Sequence, residues 1–321
     1  MPRVSVIIPV YNGAATVVEA IDSALAQTFK DFEVIVVDDG STDATPEVLV
    51  RYAGRIKVIR QSNRGIAAAR NAGVAASGGE YLAFLDCDDI WATTMLARAV
   101  GALEVDPSCV LVYTNLAVVD SAGRKLRNWL VGPAMAHAPT LEEMLARLWP
   151  IMPSAVVMRR ATFDSCGGFS ERFRGYGFED AYFWMLAREQ GNFHYIHDPL
   201  VTWRFSLFPR ELKVRSGWAE AVEIFRHLVR ERYGVDPIAL VAARKRANRS
   251  IFGYIGLKAL NSGDRVLARE AFRRALAADP LRFKNYLRLL RTFLPHELAR
   301  SLTGRTRNEV ESSPRESEGD L

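Results

Sequence analysis

The first 90 residues alternate between short apolar runs and segments with helical spacing, and this alternation limits the fold more than any other feature of the chain. The runs VSVIIPV, FEVIVVDD, IKVIRQ and EYLAFLD are rich in β-branched or aromatic residues and are predicted as strands. The segments between them are predicted as helices, the second of them capped by Ser41, Thr42 or Asp43. Strands that are apolar along their whole length are typical of a mostly parallel sheet covered by helices on both faces. The sequence therefore predicts an α/β fold.

Polar residues follow three of the four predicted strands. Residues 9–12 follow the first strand, Asp38 and Asp39 the second, and residues 86–88 the fourth. Right-handed crossovers bring the carboxyl ends of parallel strands to one edge of the sheet, where open α/β sheets bind ligands. The sequence therefore predicts a functional site at this edge.

The rest of the chain is predicted to complete one domain and to add a second. Residues 109–205 mix strand and helix patterns and extend the first domain, predicted over 1–215. An all-helical extension is predicted over 216–300, and the polar residues 301–321 are predicted to be disordered. Within the extension, LNSGDRVLAREAFRRALAADP resembles one tetratricopeptide-type helix pair. A single pair cannot bury its faces alone, so it is expected to pack on the first domain or on a partner.

The charge of the chain is concentrated in the predicted extension. The net charge is +5, yet residues 226–307 alone contain 19 Lys and Arg against 6 Asp and Glu. Such asymmetry indicates an anionic partner, and an anionic membrane surface is favoured over nucleic acid because no nucleic-acid-binding module is recognisable. The segment LRFKNYLRLLRTFL fits two alternatives: a basic helix lying on anionic lipid, or a packed helix with a solvated basic face.

Cysteine usage and hydropathy bear on localisation. Cys87, Cys109 and Cys166 lie far apart and form no C-x-x-C pair, which is typical of a reducing compartment. We find no signal-peptide pattern and no run of 18 apolar residues. A cytoplasmic protein is expected, peripheral at the inner face of the plasma membrane.

Asp86 and Asp88 are the first candidate site. Two carboxylates at positions i and i+2 after a buried strand can both address one hard cation, such as Mg²⁺ or Mn²⁺. An EF-hand is excluded because Trp91 stands where that loop requires glycine. The alternative is a solvated acidic loop.

Three further groups of residues have a functional and a structural interpretation. Asp39 can bind a base or ribose, or can shape a turn. Arg64 or Arg70 can meet a diphosphate, or can pair with a nearby carboxylate, in a segment whose small residues allow close helix–sheet packing. Glu179 and Asp180 can supply a general base, or can simply complement a helix dipole. His194 and His197, three apart on a predicted strand, are expected to be packed and unable to share a metal.

Taken together, the motifs resemble the family 2 glycosyltransferases, which have a GT-A fold. The resemblance runs in order through VSVIIPVYNG, VIVVDDGSTD, NRGIAAARNAG, YLAFLDCDD, GGFSERFRGYGFEDAYFWMLA and PLVTWR, over roughly residues 3–205. It implies transfer of a sugar from a UDP-linked donor, with inversion and with Mn²⁺ or Mg²⁺.

The resemblance also implies roles for individual residues. Donor-site positions carry over to Pro9, Tyr11, Asp39, Arg70, Asp86, Cys87 and Asp88. Of these, Asp86 and Asp88 are the metal pair, and Asp88 is the more direct ligand. Asp180 is the catalytic base, and Glu179 orients it or contacts the acceptor. Cys87 replaces the usual Ser, Ala or Asp and is expected to point away, while Arg204 is expected to meet phosphate or an acidic neighbour.

The implied acceptor is a hydroxyl of a glycan or lipid-linked glycan in surface polysaccharide or lipopolysaccharide biosynthesis. Two alternatives remain at this point: a sugar-nucleotide nucleotidyltransferase, and an inactive scaffold with the glycosyltransferase fold. The first would need a Gly-rich phosphate loop near the N-terminus, of which PVYNGAAT is a poor version.

Overall fold

The computed structural model describes the chain as two compact units, Met1–Pro237 and Ile238–Leu321. The described residues of the first unit are 1–119, 123–127, 135–146, 149–173, 177–204 and 210–237, without the side chains of 210–219. Those of the second unit are 252–253, 256–257, 259–260, 263–278 and 283–294. The predicted tail, 301–321, lies outside the described residues.

The first unit contains nine strands and eight helices among its described residues. The strands are β1 (Val4–Val10), β2 (Phe32–Asp38), β3 (Lys57–Arg60), β4 (Tyr81–Phe84), β5 (Ile90–Trp91), β6 (Cys109–Val119), β7 (Lys125–Arg127), β8 (Val156–Arg159) and β9 (Asn192–Arg204). The helices are α1 (Val17–Leu25), α2 (Thr45–Val50), α3 (Ile66–Ala75), α4 (Met95–Val105), α5 (Leu141–Ala146), α6 (Arg160–Cys166), α7 (Glu179–Gln190) and α8 (Arg210–Tyr233). The second unit contributes α9 (Arg265–Ala278) and α10 (Phe283–Arg291).

All nine strands form one sheet, in the order β3-β2-β1-β4-β8-β6-β9-β5, with β7 paired to β6. The first four strands are mutually parallel, as predicted. Beyond β4 the sheet is mixed, because β8 is antiparallel to both β4 and β6 while β6 and β9 are parallel. The predicted parallel arrangement therefore holds for the N-terminal half of the sheet, and the carboxyl ends of β1, β2 and β4 do share one edge.

Strand β9 shows how the chain accommodates a proline inside this sheet. The sequence predicts an interruption at Pro199, but β9 is continuous and shifts its register against β6 between Thr114 and Leu116. Ile196 is opposite Thr114 and Pro199 is opposite Asn115, so two residues of β9 bulge out. A bulge is where a strand tolerates a residue without a backbone N–H.

Small residues let α3 pack closely on the sheet, as the sequence predicts. Ala67, Ala68 and Ala69 are buried, and Gly73 lies directly over β1. A Cβ added to Gly73 would stand 2.5 Å from Ile7 Cγ2, which is closer than real side chains approach. The close approach places α3 and its one buried arginine against the edge where β1, β2 and β4 end.

The predicted cap of α2 is wrong for Ser41, whereas Asp43 does bind an amide at the start of the helix. The helix begins at Thr45, and the amide of Thr45 donates to Asp43 Oδ1 at 3.0 Å. Ser41 does not cap the helix because its hydroxyl accepts the backbone N–H of Asn12 at 2.9 Å. Ser41 thus holds the loop after β1, and Asp43 binds the first amide of α2.

Helix α8 belongs to the first unit, so the units divide after Pro237 and not at the predicted position 215. Phe225 of α8 stacks on Phe178 with ring centroids 4.8 Å apart. Near the end of the helix, Arg232 Nε donates to Glu189 Oε1 of α7 at 2.8 Å. The sequence does not reveal these contacts, because an amphipathic helix after the last strand has the same pattern whichever unit it covers.

Among the described residues, no helix has the length and apolarity needed to span a membrane.

Candidate active site

The loop after β1 is held to the loop after β2 by Asn12. This residue has a positive φ of 51°, which asparagine tolerates better than most residues. Its side-chain Oδ1 accepts the amide of Thr42 at 2.8 Å, and the next residue, Gly13, donates its amide to Thr45 Oγ1 at 2.9 Å. The two loops are therefore one fixed polar wall, from which Tyr11 projects half-exposed while Pro9 remains buried in β1.

Asp39 fixes the next loop along the edge. Its carboxylate is buried and accepts three hydrogen bonds: from Gln61 Nε2 at 2.8 Å, from the amide of Arg64 at 2.9 Å and from the amide of Gly65 at 2.8 Å. Gly65 begins α3 with a φ of 92°, a conformation that favours glycine. Asp39 thus ties the end of β2 to the start of α3, and its contact with a nucleoside stays a prediction.

Three aspartates follow β4 within one turn. Asp86 and Asp88 are half-buried, and Asp89 is buried. Ser154 joins two of them, since its hydroxyl accepts the amide of Asp86 at 3.0 Å and donates to Asp89 Oδ2 at 2.5 Å. Burial, and then the neighbouring charges of Asp88 and Asp86, raise the pKa of Asp89 well above its usual range. The turn therefore concentrates negative charge at the exposed end of the strand.

Arg70 connects these aspartates to the start of α7. Its side chain, on α3, is 1% exposed; Nη2 lies 2.8 Å from Asp86 Oδ1, and Nη1 lies 3.2 Å from Glu179 Oε1. The guanidinium also lies over the ring of Phe169 at 5.3 Å. Burial opposes its charge, but the two carboxylates outweigh burial and raise the pKa of Arg70. A permanent buried cation thus bridges the D-x-D pair, through Asp86, and the Glu179–Asp180 pair, through Glu179.

The N-terminus of α7 is shaped by a strained residue. Phe178 is fully buried and has a φ of 73°, in the left-handed region that bulky residues avoid. The residue before it, Gly177, also has a positive φ of 92°. This turn sends Glu179 inward to Arg70 and leaves Asp180 half-buried in the first helical turn, its Oδ1 accepting the amide of Ala181 at 2.8 Å.

The remaining candidates take structural positions. Arg204, like Arg70, meets an acidic neighbour, with Nη2 at 2.5 Å from Glu19 Oε2. Cys87 is buried, and a Cβ on Gly13 would lie 3.2 Å from its sulfur, so the thiol faces the β1 loop. His194 and His197 are exposed on β9, so the expectation that they are packed is wrong.

The sequence profile of glycosyl transferase family 2 matches residues 5–208 of this chain, which include every residue of the edge described above. The chain belongs to this family. The resemblance drawn from the motifs is thereby confirmed, and with it the class of enzyme, a glycosyltransferase.

Several bacterial relatives of this family member are themselves described as glycosyltransferases. An uncharacterized glycosyltransferase of Rickettsia prowazekii (strain Madrid E) is 34% identical over 179 residues, which are 54% of this chain and 55% of that protein. The putative glycosyltransferase EpsE of Bacillus subtilis (strain 168) is 31% identical over 195 residues, which are 59% of this chain and 68% of that protein. The chain spans about half the length of the Rickettsia relative.

Solved structures confirm the fold of this family member. The chain is similar to S. aureus TarS 1–349 in complex with UDP, with a TM-score of 0.53, 20% identity, and coverage of 93% of this chain and 91% of that chain. It is also similar to the mannosyltransferase PcManGT of Pyrobaculum calidifontis, in complex with GDP-Man and Mn²⁺, with a TM-score of 0.50, 21% identity, and coverage of 94% and 86%. At these identities the likeness shows the fold, and the predicted GT-A type α/β class is confirmed.

The family member has the chemistry, but not a complete protein ligand set, for a divalent cation. Hard cations take carboxylate oxygens, which Asp86 and Asp88 provide. After burial, the negative charges of Asp88 and Asp86 raise the pKa of Asp89, and a cation would offset those charges. Arg70 already occupies one oxygen of Asp86. In the part of the chain that the structure describes, no three His, Cys, Asp or Glu side chains are grouped to hold a metal. The residues therefore fit a cation that shares its ligand shell with water or a bound diphosphate.

Sequence reasoning missed the burial of one residue of this site and the role of another. The sequence shows Asp89 as a third carboxylate after Asp86 and Asp88, but its burial is detectable only from the turn that the structure shows. Ser154 lies in the short 3₁₀ turn Pro153–Ala155 before β8, and reaches the aspartates because β8 pairs with β4. No local pattern in the sequence connects Ser154 with residues so far back in the chain.

Proposed function

We propose that this glycosyltransferase moves a sugar from a UDP-linked donor to a hydroxyl of a glycan or lipid-linked glycan, with inversion and with Mn²⁺ or Mg²⁺. The observation that carries the proposal is the link through Arg70. One buried guanidinium binds Asp86 of the D-x-D pair and Glu179 beside Asp180, at distances of 2.8 and 3.2 Å. The groups proposed for donor binding and for proton transfer are therefore held at one edge of one sheet.

Asp86 and Asp88 would hold the cation together with the diphosphate of the donor. A bound divalent cation supplies Lewis-acid stabilisation of the negative charge that develops on the departing nucleoside diphosphate. Asp88 is the more direct ligand in this proposal, because one oxygen of Asp86 is already bound to Arg70. The Mn²⁺ of the Pyrobaculum mannosyltransferase structure supports the same class of ion here.

Asp180 would accept the proton of the acceptor hydroxyl as that hydroxyl attacks the anomeric carbon. It lies in the first turn of α7 and is half-buried, so an acceptor can approach it from solvent. Glu179 is buried and bound to Arg70, which suits an orienting role better than a proton-transferring one. One base with no protein nucleophile fits a single displacement with inversion.

Pro9, Tyr11 and Asp39 would line the nucleoside pocket, on the polar wall after β1 and β2. UDP is the favoured nucleotide because the TarS structure to which the chain is similar contains UDP. The GDP-Man of the mannosyltransferase makes GDP the first alternative to test. We place the reaction in the cytoplasm, at the inner face of the plasma membrane, where the three cysteines would stay reduced thiols. We propose surface polysaccharide or lipopolysaccharide biosynthesis as its pathway class.

Calorimetric titration with UDP, GDP and dTDP, each with and without Mn²⁺, tests the proposal. The wild-type chain is expected to bind UDP only with the metal, and Asp88→Asn is expected to abolish that binding. Asp164→Asn, an exposed aspartate of α6, is the matched control and should bind as the wild type does. If none of the three nucleotides bound to the folded protein, the donor-site proposal would fail and the inactive-scaffold alternative would take its place.

A further inference from the structure

Helix α10 of the second unit is folded with its polar side inward and its apolar side outward. Asn285 is 1% exposed and Thr292, just after the helix, is fully buried. By contrast the large apolar residues Phe283, Tyr286, Leu287, Leu290 and Phe293 are 43–70% exposed. Surface helices normally show the opposite arrangement. The exposed side of α10 therefore needs an apolar environment that the described residues of the second unit do not supply.

The buried polar side of α10 is held by specific contacts, so this orientation is defined by the structure. Arg269 of α9 donates from Nη2 to the carbonyl oxygen of Thr292 at 3.1 Å and from Nε to Thr292 Oγ1 at 3.3 Å. The guanidinium of Arg269 also lies 4.2 Å from the ring centroid of Phe293. Turning the helix to bury its leucines would break both hydrogen bonds.

The exposed apolar residues form one continuous stripe. Positions 283, 286, 287 and 290 are separated by three or four residues, so they lie on one face of a helix, and Phe293 extends the stripe into the following turn. Isolated exposed apolar residues are common and need no explanation, but a contiguous apolar patch marks an interaction site.

Charge identifies the partner. Lys284, Arg288 and Arg291 follow one border of the stripe at helical spacing, and no Asp or Glu occurs between residues 280 and 296. A second copy of the chain seated on the stripe would bring two such basic borders together. An anionic bilayer surface would instead attract the basic residues and take up the leucine and phenylalanine side chains, as amphipathic basic helices do.

From this arrangement we infer that α10 docks the protein on the surface of an anionic phospholipid bilayer, with the stripe inserted and the basic border at the headgroups. The inference goes beyond the proposed reaction, because no residue of α10 belongs to the candidate active site. It decides between the two alternatives that the sequence left open for this segment, in favour of lipid.

Vesicle flotation of the full chain tests the inference. The probes are vesicles of phosphatidylcholine alone and vesicles of phosphatidylcholine with phosphatidylglycerol. The wild type should float only with the second kind, and less so as salt is raised. Leu287→Ser with Leu290→Ser should lower the partition coefficient by more than about tenfold. Lys284→Gln with Arg288→Gln should lower it by roughly fivefold for each charge removed.

The matched controls each change an exposed residue of the same kind elsewhere. Val105→Ser, on α4, and Arg51→Gln, after α2, should leave flotation unchanged. A wild-type chain that ignored anionic vesicles, or stripe variants that floated as well as the wild type, would overturn the inference. It would also be overturned if the wild type bound no vesicles and instead formed dimers that Leu290→Ser dissociated. A second copy of the chain would then cover the stripe.

The UDP titration on the same preparations separates this inference from the proposed function. The stripe variant should bind UDP as the wild type does. A wild type that bound UDP but no anionic vesicles would count against the lipid inference alone. A wild type that bound the vesicles but no UDP would count against the proposed donor site alone.

Discussion

Replacing Arg70 by methionine removes the one buried cation that joins the two acidic motifs. The Glu179 side chain is 8% exposed and the Asp86 side chain 23% exposed, so the variant would leave one carboxylate almost without water and the other partly solvated. Removing one partner from a buried ion pair costs about 3–5 kcal/mol. Because water reaches Asp86, we expect the loss in unfolding free energy to lie near the lower end of that range.

Urea unfolding followed by tryptophan fluorescence measures this loss in the first unit alone. All six tryptophans lie between residues 91 and 218, and that unit ends at Pro237. Arg64→Met is the matched control. Arg64 lies near the start of α3 and pairs with Glu171 at 2.8 Å, but its side chain is 56% exposed. An exposed pair of this kind is worth about 0–1 kcal/mol.

A second variant checks that the loss comes from uncompensated charge. Arg70→Met combined with Glu179→Gln removes the carboxylate that is left most deeply buried, so the double variant should recover part of the stability. Arg70 would not link the two acidic motifs electrostatically if Arg70→Met lowered the unfolding free energy no more than Arg64→Met does. The same would follow if Glu179→Gln lowered the unfolding free energy as much in the Arg70→Met background as it does alone.

Three other predictions follow from single contacts. Gly73→Ala should lower the unfolding free energy by about 1–3 kcal/mol, because its Cβ would stand 2.5 Å from a methyl group of β1. Gly101→Ala in α4 should raise the unfolding free energy by about 1 kcal/mol in the same urea assay, because an added Cβ there would meet nothing within 4 Å beyond the adjacent residues and the backbone of its own helix. Ser154→Ala should cost about 1–3 kcal/mol, since it leaves the buried Asp89 without its hydroxyl donor. Hydrogen bonds from two arginines of α8 lower the pKa of Asp236 from 3.8 to about 2. Asp236→Asn should therefore lower the unfolding free energy of the protein at neutral pH. Unfolding measured as a function of pH should show this difference between variant and wild type vanishing as the pH falls from 3.8 to about 2.

The N-terminal half of the fold was predictable because each of its signals is local. Continuous apolar runs mark β1, β2 and β4 as buried on both faces, and this pattern alone places their carboxyl ends together. Strand β9 shows where local patterns fail. Pro199 predicts a break in the strand, but β9 stays paired with β6 and forms a bulge instead. The mixed order of the later strands depends on pairings between distant segments, which no local pattern records.

The sequence predicts the candidate site residues one by one but not the contacts that connect them. The sequence marks Asp86, Glu179 and Arg70 separately, and a diphosphate contact was one interpretation of Arg70. Its burial between two carboxylates shows instead an internal link. No sequence pattern marks Ser154 as a site residue, because its contact with Asp86 depends on the pairing of β8 with β4.

A crystal of the full chain soaked with UDP and Mn²⁺, measured at a wavelength where manganese scatters anomalously, would locate the metal and the nucleotide. We predict one manganese peak within coordination distance of the Asp88 carboxylate, with the diphosphate beside it and the uracil against the loops that follow β1 and β2. Manganese and UDP bound away from the carboxyl ends of β1, β2 and β4 would contradict this prediction.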